Sequence, residues 1–256
     1  MKIVSVVSPK GGVGKTTVTV NLGVALQRAG HQVLLVDMDP QSALRFHLGV
    51  DLSVPDGLAT AALSHRPWRD VCLSTEAGVA LLPFGYIEDG ARERLEAEMQ
   101  HGGDWLRTRL AQMGLQDDAV VLLDTPPGAS VYMRHALQAC HAAVVVTLAD
   151  AASYATLPSM EHMLDQYCEH RADFDTAGYL VNQFDAANQL AQDVTGLMRQ
   201  NFGRAVIGVV HKDAAVSEAI ACRRSVLDYA PHSQATNDFL ECAQWLNGRL
   251  AAIQPE

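Results

Sequence analysis

The chain has 256 residues, is 48% hydrophobic and carries a formal net charge of −10; it can bury a sizeable core, and its overall field disfavours coating nucleic acid. Its longest apolar runs, such as 142–148 (AAVVVTL), fall far short of the roughly 20 residues a membrane-spanning helix needs, and Met1-Lys2 leads directly into a strand-like IVSVVS, which reads as no signal peptide. Five scattered cysteines without a C-x-x-C pair suggest neither a disulfide framework nor a zinc ribbon, and reduced cytoplasmic thiols are expected.

In chain order, β-rich runs are predicted at 3–7, 32–37, 79–83, 119–124, 143–148, 176–182 and 205–210. Segments of helical period fall at 15–29, 56–64, 91–113, 130–140, 153–170, 187–201, 216–223 and 234–252. This alternation predicts an α/β fold, a doubly wound, mainly parallel sheet covered by helices. No Ser/Gly/Pro-rich linker, internal repeat or low-complexity tract divides the chain, so one domain over 1–256 is expected. The charged stretch 88–116 reads as solvated helix. The tail NGRLAAIQPE has one Arg, little amphipathic length and a Pro stop, so it does not read as a basic membrane-surface helix.

The strand, turn and helix at the front carry the strongest chemical signal. IVSVVS runs into SPKGGVGKTT, then VTVNLGVAL, the context in which a phosphate-binding loop is credible. Pro9 stands where G-x-x-x-x-G-K-[ST] has its first glycine, yet Gly11, Gly12 and Gly14 supply the torsions that aim successive N–H groups at phosphate oxygens. The helix from Lys15 adds its positive end, Lys15 can reach the β and γ phosphates, Thr16 can offer its hydroxyl to Mg²⁺, and Thr17 falls near the α-phosphate. Gly11, Gly12, Val13, Gly14, Lys15, Thr16 and Thr17 are therefore the candidate nucleotide-binding loop. A second lysine, Lys10, is unexplained by one nucleotide, because two cations repel unless each has its own anion.

Magnesium needs acidic ligands and the attacking water needs orientation, both from neighbouring strand ends. LLVDMDPQS offers Asp37 and Asp39, and VVLLDTPPG offers Asp124. Asp124 is assigned a water-bridged Mg²⁺ contact, Asp37 the support of the metal shell, and Asp39 the positioning of water. The histidines give no alternative metal site: His135 and His141, or His162, Cys168 and His170, match no ligand spacing.

With these residues in place, the chain resembles the deviant-Walker ATPases of the MinD/ParA type. Lys10–Thr17 matches K-G-G-x-G-K-[ST]-T, Asp37–Gln41 matches D-x-D-P-Q, and Asp124–Gly128 matches D-x-P-x-G, in order along the full length. The resemblance implies a P-loop NTPase fold, ATP and Mg²⁺ as ligands, slow hydrolysis, and a homodimer that sandwiches ATP. It also implies that Lys10 crosses the interface to the partner's nucleotide, making Lys10, Lys15 and Asp39 the catalytic set. Asn182 is implied as an adenine contact, with the capping of the turn that ends its strand as the lesser alternative; the loop 210–213 is implied to flank the base.

Three stretches, WRDVCL, ALLPFG and HKDAAVSEAIACRRSVLDYAPHSQA, are similar to the subfamily that accompanies bacterial cellulose synthase. That similarity implies cellulose synthase components as partners, with membrane contact only through them. The relatives acting in DNA partition need a basic dimer surface, but only Arg223-Arg224, near Lys212, is compact and basic, and it reads as a solvated or dipole-facing pair. Strong DNA binding is not expected. A division-site regulator would need a basic amphipathic tail, and a cluster-bridging redox relative would need a cysteine soon after DTPPG; neither feature is present.

Overall fold

The computed structural model describes residues 1–253; the last three residues of the tail discussed above lie outside them. Among the described residues an eight-stranded sheet forms from β1 (Lys2–Val7), β2 (Val33–Asp37), β3 (Leu73–Ser74), β4 (Ala80–Leu82), β5 (Val120–Asp124), β6 (Ala142–Leu148), β7 (Thr176–Phe184) and β8 (Val206–His211). Its order is β3-β4-β2-β5-β1-β6-β7-β8. Every neighbouring pair is parallel except β3 with β4. This is the doubly wound, mainly parallel sheet the alternation predicts.

The central strands are buried on both faces, as a parallel sheet between helical layers requires. Alternate residues feed opposite cores. Ile3, Val36, Leu123 and Val145 pack with helices Asp89–His101, Trp105–Ala111 and Val131–Ala139. Val4, Leu35, Leu122 and Val144 pack with helices Lys15–Arg28 and Gln234–Ala252.

The departures from expectation have local causes. The helix predicted over 91–113 is two helices, Asp89–His101 and Trp105–Ala111, parted at Gly102-Gly103 where backbone entropy disfavours helix. The segment predicted as one helix over 153–170 breaks into Ala151–Ala155, Leu157–Leu164 and a π-helical turn Asp165–Glu169, with Pro158 in the first turn of the middle piece. The two-residue β3 and the short helices Leu44–His47 and Val226–Tyr229 are too brief to carry a period.

Candidate active site

Parallel pairing sets the site. Asp37 and Asp124 end β2 and β5 directly opposite one another, and Val6 of β1 also pairs with Asp124. The loop after β1 therefore arches over the same carboxyl edge. Gly12 and Gly14 both take left-handed torsions, at φ 74° and 88°. Gly14 is doubly constrained: a Cβ there would also stand 2.4 Å from the Asn182 amide nitrogen.

Lys15 opens the helix Lys15–Arg28 and is 7% exposed. Burial lowers its pKa, against the opposing pull of Asp124 and Asp39. Thr16 Oγ1 donates to Asp124 Oδ2 at 2.7 Å, and Thr19 Oγ1 donates to Asp124 Oδ1 at 3.1 Å. Asp37 accepts the amides of Asp39 and Leu44, each at 3.1 Å. Asp37 and Asp124 are buried side by side, and burial raises both carboxyl pKa values; Asp124 raises that of Asp37 further, while Thr16 and Lys15 oppose the rise at Asp124. Asp39, half-buried, accepts the Gln41 amide at 2.9 Å.

Lys10 is engaged within its own subunit. Its Nζ lies 3.3 Å from both Asp150 oxygens and 3.1 Å from Ser153 Oγ. Asp150 caps the helix Ala151–Ala155 through the Ser153 amide. Burial pushes the Asp150 carboxyl up, but the Ser153 amide, Lys10 and the Ser153 hydroxyl outweigh it and leave the pKa lowered.

Asn182 lies at the edge of a cavity of about 500 Å³ whose lining includes Gly14, Thr17, Lys212 and Asp213. Its side-chain amide donates to the Val13 carbonyl at 2.8 Å, bracing the phosphate loop. The loop 210–213 forms part of the same cavity. It is fixed from the C-terminal helix, where Asp238 accepts the His211 amide at 2.8 Å and contacts His211 Nδ1 at 2.9 Å.

The structure thus gathers Lys10, Lys15, Thr16, Asp37, Asp39, Asp124 and Asn182 at one sheet edge. Sequence reasoning missed Thr19, whose spacing of three from Thr16 on one helix was a usable signal. It also missed Asp150 and Ser153; the available signal was an aspartate just past a strand, with a serine three residues on, as in an N-cap.

A model of the cellulose biosynthesis protein BcsQ family matches residues 1–246. The chain belongs to the BcsQ family. It is 30% identical over 253 residues to the cellulose biosynthesis protein BcsQ of Escherichia coli K12, covering 96% of this chain and 94% of that protein. It is also 30% identical over 252 residues to the chromosome-partitioning ATPase Soj of Thermus thermophilus, covering 96% of each. The septum site-determining protein MinD of Pyrococcus horikoshii, solved with Mg-ADP, is 25% identical, covers 98% of both chains and superposes with a TM-score of 0.76. This BcsQ-family chain is accordingly a ParA/MinD-type NTPase by fold and by relationship.

Proposed function

We propose that this chain is a single P-loop ATPase domain that binds Mg-ATP, pairs with a second copy around the nucleotide, hydrolyses it slowly, and uses the two states to assemble or activate a bacterial cellulose synthase complex. One observation carries the ATPase part: the phosphate loop, Lys15, Asp37, Asp39 and Asp124 converge on one edge of the sheet. The cellulose role is supported by family membership.

The chain's own groups divide the work. Loop amides held by Gly12 and Gly14 face the phosphates, and Lys15 neutralises the β and γ groups. The donor set of Thr16 hydroxyl with Asp37 and Asp124 carboxylates is all oxygen, which suits magnesium. The raised pKa values of both carboxyls mark negative charge that a cation would relieve. Magnesium, when bound, draws electron density from the phosphate oxygens. Asp39, half-buried beyond β2, orients the attacking water, and Thr19 keeps Asp124 turned toward Thr16. Asn182 holds the loop through Val13 and flanks the base. Lys10 serves the partner's nucleotide, stabilising charge in the transition state as an arginine finger does.

No described helix is long and apolar enough to cross a membrane. The proposed role at the synthase complex has the chain acting from the cytoplasm, with membrane contact made through partners. The test is capture by the full chain loaded with a non-hydrolysable ATP analogue against ADP. Cellulose synthase subunits recovered in only one state support the reading. Chromosomal DNA or a division protein recovered instead overturns it.

A further inference from the structure

A second cavity, of about 490 Å³, is lined by His47, Gly49, Glu76, Arg223, Arg224 and Asp228 among others, and shares no lining residue with the nucleotide site. Its volume is that of a small-ligand site. One wall is the end of the helix Ala214–Ala221. There Arg224 N donates to Ala219 O and Arg223 N to Ile220 O, both at 2.9 Å, the two bonds of a Schellman turn. The left-handed position of such a turn is usually glycine; here it is Arg223, at φ 56°. A non-glycine residue in this conformation is a reason to ask what its side chain does.

Two contacts pack this turn against 46–49. The Arg223 guanidinium lies 5.5 Å from the centroid of the Phe46 ring. The Arg223 carbonyl would stand 3.4 Å from a Cβ on Gly49, so the turns at 49 and 223 pack together. Neither Arg223 nor Arg224 has a carboxylate within 4.0 Å among the described ion pairs. Of the acids lining the cavity, Asp228 is engaged by Arg28 and by Ser225 Oγ, leaving Glu76 as the competing charge. Burial pushes the His47 pKa down to about 4, so at neutral pH the positive charge is the arginines'.

We propose that this cavity binds a small phosphate-bearing ligand through Arg223 and Arg224, whose guanidinium forks match phosphate oxygens. The lining residues 47–49 lie at the end of the helix Leu44–His47, whose first amide is bonded to Asp37. The ligand would thus sit behind the segment that carries Asp37 and Asp39.

The test follows arginine side-chain N–H signals of the isotope-labelled full chain during titration with inorganic phosphate. The Arg223 and Arg224 signals should move saturably in both the wild type and Lys15→Ala. The double variant Arg223→Gly, Arg224→Ala, followed instead through the backbone amide signals of the lining residues Gly49 and Ala77, should bind at least about tenfold more weakly. Glu76→Gln should tighten binding a few-fold. Arg223→Gly alone should raise the melting temperature, because glycine suits the left-handed turn; this separates lost binding from lost folding. Signals that do not saturate, affinity unchanged in the double variant, or movement produced by duplex DNA but not by phosphate would each overturn the proposal.

Discussion

The two lysines of one loop stand in opposite environments. Lys15 is buried at the head of a helix, between Asp124 and Asp39, and has its pKa lowered by desolvation. Lys10, five residues earlier, has a side chain 34% exposed and rests on a carboxylate that is itself 38% exposed. A buried cation is held in place, which suits the proposed contact with its own subunit's phosphates. A half-exposed one is held by a pair worth about 0–1 kcal/mol and can leave it when a stronger anion arrives. The contrast supports different jobs for the two: Lys15 in cis and Lys10 in trans.

The largest break in that comparison is Lys15→Ala, which should abolish ATP binding in calorimetry, since no other cation in the loop faces inward. Lys10→Ala should retain ATP binding but lose ATP-dependent dimerisation on gel filtration, together with hydrolysis. Normal dimerisation and turnover in that variant would refute the in-trans role. Asp39→Ala should bind ATP, remain dimeric with it, and lose hydrolysis, because Asp39 makes its local bond to Gln41 without bracing the loop.

The legibility of the site follows the same division. Groups fixed by local spacing were readable: glycines at set intervals, and aspartates ending apolar strands that parallel pairing aligns. Lys10 was readable as an anomaly, but its resting partner lies 140 residues away and could be placed only by the β1–β6 pairing. Asn182 is suggested as a base contact only through the family resemblance, and its bond to Val13 is not legible in sequence at all, because it needs the loop and β7 in three dimensions. In WRDVCL, Trp68 is 3% exposed and meets Trp105 edge-on at 5.3 Å, while Arg109 lies over Trp105 at 4.9 Å. This part of the subfamily motif is packing between distant helices, which explains why no chemistry could be read from it.

A smaller effect concerns the acidic pair. Both carboxyl pKa values are raised in the folded state, so the folded chain binds protons more readily there than the unfolded chain. Without ligand, the pair's own contribution to stability should therefore fall as pH rises from about 4, the ordinary carboxylate value, through the raised folded values, while His47, held below its ordinary value, contributes the opposite trend. Asp124→Asn should flatten that fall and raise the melting temperature of the ligand-free chain at neutral pH by a few degrees, on the order of 1 kcal/mol. A stability difference between the wild type and Asp124→Asn that stays constant over that window would contradict the assignment.

The smallest effect sharpens the comparison most. Asp150 has two duties, capping a helix through the Ser153 amide and holding Lys10, and only the second bears on dimerisation. Asp150→Ser keeps a side-chain oxygen for the cap and removes the charge, so the melting temperature should change little. Asp150→Ala removes both and should lose about 1 kcal/mol of stability, chiefly from the cap. If the carboxylate competes with the partner's phosphates for Lys10, both variants should dimerise at a few-fold lower ATP concentration than the wild type, whatever their stability. If ATP-dependent dimerisation tracks stability instead, or does not move, the half-exposed pair is only a surface contact, and the difference between the two lysines must be sought in the dimer itself.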